Sequence, residues 1–104
     1  MKTSILIAAH NEGDNLLRTV KSCKESIHDL DYEIVIADDA SSDRAVEEVL
    51  ACYPEIQVVR HETRKGASPT KHATTTLASG DVFVFLDGHT KPTPGAIARL
   101  VEDV

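Results

Sequence analysis

Apolar positions along the chain follow two alternating patterns. Short runs rich in β-branched residues predict four buried strands, at 5–9, 32–37, 56–61 and 81–86. Between and after these runs, apolar residues recur every three or four positions and predict helices, over 12–27, 44–52 and 68–79 and from Pro94 onward. The predicted order is therefore β-α-β-α-β-α-β-α.

Turn-forming residues indicate where these elements begin and end. Asn11 and Ser68 are predicted to cap the first and third helices, and Gly80 to end the third. Strands and helices that alternate with short loops are typical of an α/β fold, a three-layer sandwich around a mainly parallel sheet. Right-handed crossovers predict the strand order 3-2-1-4 in that sheet.

Length and charge limit the classes of function. The 104 residues suffice for one small domain, and 41% hydrophobic with 27% charged residues is typical of a globular protein. A formal net charge of -6 argues against nucleic acid and anionic lipid as partners, because both bind basic faces. No apolar run approaches the roughly 18 residues of a membrane span. With two isolated cysteines, the expected location is cytoplasmic, with any membrane association supplied by parts outside this chain.

Polar clusters follow three of the predicted strands. They are His10-Asn11-Glu12, Asp38-Asp39 and Asp87-Gly88-His89. The carboxyl ends of parallel strands meet at one edge of a sheet, and the ligands of such sheets bind there. The sequence therefore predicts a ligand site at this edge.

The cluster after the fourth strand has the chemistry of a metal site. In an extended segment the side chains of Asp87 and His89 point to the same side, and Gly88 leaves the position between them clear. A carboxylate with an imidazole suits a divalent ion of intermediate softness, such as Mn²⁺. The alternative is a strand-end turn with a solvated histidine.

Two further groups are expected at the same edge. One member of Asp38-Asp39 is predicted to bind a metal, a ribose or a base edge; the alternative is that the pair only caps the next helix. Arg64, Lys65 and Lys71 form a cationic cluster suited to a diphosphate, and the alternative is a solvated face. Neither common glycine-rich phosphate-binding motif occurs in the sequence.

Three long stretches share the motif order of a known enzyme family: SILIAAHNEGDNLLRTVKS, EIVIADDASSD and RKGASPTKHATTTLASGDVFVFLDGH. They resemble the N-terminal, nucleotide-binding half of family 2-like glycosyltransferases with the GT-A fold. The resemblance implies a Rossmann-like domain that binds a nucleotide-diphosphate sugar, most often a UDP-sugar, together with Mn²⁺ or Mg²⁺. It further implies transfer of the sugar to an acceptor.

The resemblance also assigns the metal ligands. The family's opening motif corresponds to Ala9-His10-Asn11-Glu12, in a histidine form similar to that of the polypeptide N-acetylgalactosaminyltransferases. The metal motif of those enzymes is Asp-x-His, which corresponds to Asp87 and His89. These two residues are therefore expected to hold the metal beside the diphosphate of the donor.

Other positions are expected to bind the nucleotide sugar itself. The family's acidic residue near the nucleobase corresponds to Asp38 or Asp39, and its basic residue before a glycine corresponds to Arg64. The first strand passes the base at Ala8 or Ala9. The full set of expected binding residues is Ala8, Ala9, Asn11, Glu12, Asp38, Asp39, Arg64 and Lys71.

The expected domain is 1–104, a nucleotide-sugar-binding domain truncated before the family's acceptor half. The catalytic base would lie in that half, so no catalytic residue is assigned. Predicted partners are a nucleotide-sugar donor and an acceptor of unknown kind, and an uncovered edge strand favours self-association. The alternative function is a nucleotide- and metal-binding module without transferase activity. A phosphoacceptor signalling domain is disfavoured, because its acidic pair would follow the first strand.

Overall fold

The computed structural model describes residues 2–27 and 31–88. The helix predicted from Pro94 and the predicted metal ligand His89 lie outside the described residues. Within them, the elements are β1 (Lys2–Ala9), α1 (Asp14–Ser26), β2 (Asp31–Asp39), α2 (Ala45–Cys52), β3 (Gln57–His61), α3 (Ala67–Thr75) and β4 (Val82–Asp87). The predicted alternation of strands and helices is confirmed over this range.

The strands form one parallel sheet in the predicted order, β3-β2-β1-β4. Ala8 of the central strand β1 stands opposite Ala37 of β2 and Asp87 of β4. Asp39, the last residue of β2, stands opposite His61 of β3. This register brings the carboxyl ends of the strands, and the polar residues at those ends, to one edge of the sheet.

Helices cover both faces of the sheet. One face packs against α1 and α2 through alternate strand residues and through helix residues spaced three or four apart: Ile5, Ile7, Ile34, Ile36, Leu16, Val20, Cys23, Val46 and Val49. Burial of this apolar surface is the main favourable contribution to folding. On the other face, α3 lies against β1 and β2. The predicted three-layer α/β sandwich is therefore confirmed.

Two helices begin at glycines rather than at the predicted caps. α1 follows Gly13 (φ 56°) and α3 follows Gly66 (φ 95°), both in the left-handed region that favours glycine. Ser68 lies inside the first turn of α3. Asn11 Oδ1 accepts a hydrogen bond from Ser42 N–H at 2.7 Å. The prediction that Asn11 caps α1 is wrong, because the loops after β1 and β2 bond to each other instead.

Gly80 does not end α3, contrary to the prediction. The helix ends at Thr75, whose hydroxyl donates to the carbonyl oxygen of His72 at 2.6 Å. Such local side-chain bonds compete with the helical backbone pattern. Gly80 is instead required against β1, because a Cβ there would lie 2.5 Å from Ser4 Oγ and 2.9 Å from the Lys2 carbonyl oxygen.

A polar network surrounds Glu33 at the amino ends of the strands. The Glu33 carboxylate accepts hydrogen bonds from Ser4 Oγ and from Ser79 N–H, both at 2.6 Å. Gly80 N–H donates to Ser4 Oγ at 2.8 Å, and Lys2 Nζ lies 3.4 Å from the carboxylate. The network joins β1 and β2 to the segment that leads into β4.

Lowering the pH is expected to weaken this network over the pH range in which the Glu33 carboxylate becomes protonated. Burial alone would raise the pKa of Glu33, but hydrogen bonds from Ser4 and Ser79 outweigh it and lower the pKa from 4.5 to about 2. The contribution of the ionised carboxylate, about 1–3 kcal/mol, is therefore complete above the ordinary pKa and is lost as the pH falls toward 2. Urea denaturation of the wild type and Glu33→Gln across this range measures it.

The deficit of Glu33→Gln relative to the wild type should shrink as the pH falls through that range. Glu25→Gln is the matched control, because Glu25 is exposed on α1 and carries the same charge. It should leave the free energy of unfolding nearly unchanged at each pH. A Glu33→Gln deficit that stays constant down to pH 2 would contradict the lowered pKa.

Candidate functional site

The carboxyl ends of β1, β2 and β4 and the start of α3 line an open cavity of about 150 Å³. Small apolar side chains form part of its wall, and charged or polar side chains form the rest. The lining residues are Ala8, Ala9, His10, Glu12, Asp39, Arg64, Ala67, Thr70 and Asp87. The cavity lies at the edge where the sequence predicts a ligand site.

Most of the predicted binding residues line this cavity, namely Ala8, Ala9, Glu12, Asp39, Arg64 and the predicted metal ligand Asp87. Asn11, Asp38 and Lys71 do not line it. Asn11 instead joins two loops: its N–H donates to Ser41 Oγ at 2.9 Å, and its side chain bonds to Ser42. It thus holds the loops that follow β1 and β2 together beside the cavity.

The adjacent carboxylates Asp38 and Asp39 lie on opposite faces of the sheet, since successive side chains of a strand alternate. Asp38 shares the face covered by α2. It accepts a hydrogen bond from Ser41 N–H at 3.2 Å and pairs with Arg60, whose Nε lies 3.0 Å from Oδ2. Arg60 also bonds to Glu47 of α2 at 2.8 Å. Asp38 is therefore directed away from the cavity, and Asp39 faces it.

Asp39 is buried and held by the loop that precedes α3. Oδ1 accepts hydrogen bonds from His61 Nδ1 at 3.0 Å and from Lys65 N–H at 2.8 Å, and Oδ2 accepts one from Gly66 N–H at 2.9 Å. Arg64 Nε lies 3.8 Å from Oδ2. Burial opposes ionisation, but the hydrogen bonds from His61, Lys65 and Gly66 hold the pKa of Asp39 well below its usual range. Asp39 thus provides a fixed negative charge in the cavity wall.

Asp87, at the end of β4, is held less tightly. Its side chain is 49% exposed, and Lys71 Nζ lies 3.7 Å from Oδ1, with the Lys71 side chain 44% exposed. A half-exposed ion pair of this length contributes little to stability. Asp87 therefore remains accessible to a cation, and Lys71 lies beside it at the rim.

Gly88 packs closely beside Asp87, whereas the predicted clear space between Asp87 and His89 involves a residue outside the described ranges. Its N–H donates to the Ala8 carbonyl oxygen at 2.9 Å, which extends the β1–β4 pairing by one step. A Cβ at this position would lie 2.7 Å from Cγ of Glu12. A side chain at position 88 would displace Glu12, so the glycine permits this close packing.

His10, Ala67 and Thr70 line the cavity but are absent from the predicted binding set. His10 Nδ1 lies 2.6 Å from the Asp39 carbonyl oxygen. A carbonyl oxygen only accepts, so the Nδ1–H group of His10 donates this hydrogen bond. The signal for His10 is its place directly after the first strand. Ala67 and Thr70 carry no such signal, because they reach the cavity only through the way α3 packs.

Residues 4–104 match the family described as Glycosyl transferase family 2. The chain belongs to this family. It is 36% identical to the dolichol-phosphate mannosyltransferase of Pyrococcus furiosus, covering 100% of this chain and 30% of that protein. It is 35% identical to human polypeptide N-acetylgalactosaminyltransferase 10, covering 98% of this chain and 18% of that protein. The chain thus spans less than a third of these relatives.

Solved structures share the fold of this family 2 chain. S. aureus TarS 1-349 in complex with UDP superposes with a TM-score of 0.85 at 20% identity, covering 99% of this chain and 31% of that one. The mannosyltransferase PcManGT from Pyrobaculum calidifontis in complex with GDP-Man and Mn²⁺ gives 0.73 at 21% identity, covering 84% and 27%. The sheet and its flanking helices are therefore those of GT-A glycosyltransferases.

A metal in this family 2 chain would meet carboxylate oxygens at the cavity. Glu12, Asp39 and Asp87 line it, and such oxygens suit Mg²⁺ and Mn²⁺. Within 2–27 and 31–88, no group of three or more His, Cys, Asp or Glu side chains is arranged to hold an ion. Asp87 therefore fits as one ligand, and further ligands would come from the donor's phosphates, from water or from residues outside those ranges.

Among the described residues, no helix combines the length and apolarity that a membrane crossing requires.

Proposed function

We propose that this chain binds a nucleotide-diphosphate sugar and that the protein transfers the sugar to an acceptor. The observation that carries the proposal is the cavity at the carboxyl ends of three parallel strands, with Asp39, Arg64 and Asp87 in its wall. Parallel α/β sheets bind nucleotides at such edges. Membership of Glycosyl transferase family 2 supports the transfer reaction.

Asp39 is proposed as the acceptor for an N–H group of the nucleobase. The bonds from His61, Lys65 and Gly66 fix the Asp39 carboxylate in the cavity wall, where an approaching N–H group would meet its oxygens. The small side chains of Ala8 and its neighbours leave room for a flat base. Uridine is the proposed base, which is supported by the TarS structures in complex with UDP and UDP-GlcNAc.

Arg64 and Lys71 are proposed to face the diphosphate. The chain carries a net charge of -6, so a ligand with two phosphates needs local cations to approach this edge. Lys71 Nζ, now 3.7 Å from Asp87, lies at the rim within reach of such a group.

Asp87 is proposed to hold Mn²⁺ or Mg²⁺ together with His89, in the manner of the Asp-x-His motif. When bound, the ion would neutralise the charge that develops on the diphosphate as the sugar leaves. Asp87 is accessible at the edge of the cavity, and a structure of PcManGT with GDP-Man and Mn²⁺ supports a metal in this fold. This chain's own residues would bind the base, orient the diphosphate and hold the ion.

Calorimetry of UDP binding with and without Mn²⁺ tests the proposal. The metal and the nucleotide share a site, so Mn²⁺ should tighten UDP binding about tenfold or more. Asp87→Asn should remove most of that gain. Asp31→Asn is the matched control, because Asp31 is exposed at the amino end of β2 and loses the same charge.

Equal UDP affinity with and without Mn²⁺ in the wild type would contradict the metal assignment, and no binding of UDP or GDP would contradict the nucleotide site. Binding without sugar transfer in the full-length protein would favour the alternative, a nucleotide- and metal-binding module.

A further inference from the structure

A buried threonine of α1 bonds to the residue that follows Asp87. Thr19 is 0% exposed, and its Oγ1 donates a hydrogen bond to the Gly88 carbonyl oxygen at 2.9 Å. The two residues are 69 positions apart in the chain. The bond therefore joins the core helix to the end of β4, where Asp87 stands at the cavity.

This bond differs from those of the other buried threonines in the helices. Thr70 and Thr74 of α3 donate to Gly66 and Lys71, carbonyl oxygens of the preceding helical turn. That local pattern is the ordinary one for threonine in a helix. Thr19 uses its hydroxyl on a distant backbone group instead.

The backbone of Gly88 is held from three directions. Its N–H donates to Ala8 of β1 at 2.9 Å, its carbonyl oxygen accepts from Thr19, and Glu12 fills the side where a Cβ would stand, 2.7 Å from Cγ. The Asp87 side chain, in contrast, is half exposed and has Lys71 at 3.7 Å. Thr19 therefore adds to the β1–β4 pairing in fixing the end of the strand that carries Asp87.

We propose that Thr19 is a positioning residue for the metal site. By fixing the Gly88 carbonyl group, it holds the end of β4, and with it the backbone of Asp87, at the place where a divalent cation and the donor's diphosphate would meet. The inference rests on the proposed function, and it assigns Thr19 a role without contact to the ligand. A small displacement of a metal ligand lowers the affinity for the metal, because the ligand, the ion and the phosphate oxygens must fit one coordination geometry.

Calorimetry of UDP binding by Thr19→Val, with and without Mn²⁺, tests this role. Valine keeps the shape and removes the hydroxyl, so UDP affinity without metal should stay at the wild-type value. The gain from Mn²⁺ should fall about fivefold to tenfold. Thr19→Ser, which restores the hydroxyl, should recover most of the gain. Thr74→Val is the matched control, because Thr74 is also 0% exposed and its hydroxyl bonds only within α3; it should keep the full gain.

The outcomes separate the two proposals. No gain from Mn²⁺ in the wild type contradicts the metal site itself. A wild-type gain that Thr19→Val retains in full overturns the role of Thr19 and leaves the proposed function standing. If Thr19→Val does not fold, Thr19→Ala and Thr19→Ser replace it, because they differ only in the hydroxyl. Equal Mn²⁺ gains in those two variants overturn the inference, and a smaller gain in the alanine variant supports it.

Discussion

Asp39→Ala is expected to abolish detectable UDP binding and to lower the free energy of unfolding by about 3–5 kcal/mol. Asp39 is 3% exposed, and its carboxylate accepts hydrogen bonds from His61, Lys65 N–H and Gly66 N–H. Its removal leaves these donors without their acceptor and releases the loop that carries Arg64. The proposed acceptor for the base is lost in the same step.

Thermal denaturation and calorimetry at a temperature where the variant is folded measure the two effects separately. Asp38→Ala is the informative comparison, because it removes an equally buried carboxylate from the opposite face. It should also destabilise the protein, since Arg60 loses its partner, but it should retain UDP affinity. Wild-type UDP affinity in folded Asp39→Ala would rule out the proposed contact with the base.

Gly80→Ala is expected to lower the free energy of unfolding by roughly 3–5 kcal/mol, through overpacking and a lost hydrogen bond. The added Cβ would lie 2.5 Å from Ser4 Oγ, 2.8 Å from Ser4 N and 2.9 Å from the Lys2 carbonyl oxygen. Two of these atoms belong to the backbone of the central strand and cannot move aside. The Gly80 N–H bond to Ser4, at 2.8 Å, would break as the segments separate.

Urea denaturation of two further variants distinguishes this close contact from a strained backbone angle. Gly13→Ala has open space around the new Cβ but a strained backbone, with φ +56° and ψ -139°, so it should cost about 1–3 kcal/mol. Ser4→Ala should not rescue Gly80→Ala, because the backbone contacts remain. A cost for Gly80→Ala no larger than that for Gly13→Ala would show that the segment can shift away from β1.

The sequence predicts the strands and their order well, because both follow from the pattern of residues along the chain. Apolar spacing distinguishes strand from helix, and the handedness of crossovers fixes the order β3-β2-β1-β4. The ends of elements are predicted less well, because contacts between distant segments decide them. Asn11 has the chemistry of a cap, yet it bonds to Ser42 across the sheet edge. Gly80 has the chemistry of a helix stop, yet the backbone of β1 requires it.

In the candidate site, too, positions that follow from the sequence pattern are predicted, and those that depend on contacts between distant segments are not. The strand-end positions of Asp39 and Asp87 are evident from the sequence, because each closes an apolar run. To choose between Asp38 and Asp39, one must know which face of the sheet each side chain occupies. Side chains alternate along a strand, but the sequence does not show at which residue β2 ends. The contact of Thr19 could not be predicted from the sequence, where it is one polar residue within a helix. Only the register of β4 against β1 brings Gly88 to its hydroxyl.

The paired carboxylates of β2 restrict how the edge strand β3 can align. Asp38 and Asp39 stand opposite Arg60 and His61, and each bonds to its counterpart on a different face of the sheet. A slip of β3 by one residue would turn both side chains to the wrong faces. Both buried carboxylates would then lose a partner, so two unpaired buried charges would destabilise the misaligned strand. A strand of only five residues is thereby kept in a single alignment.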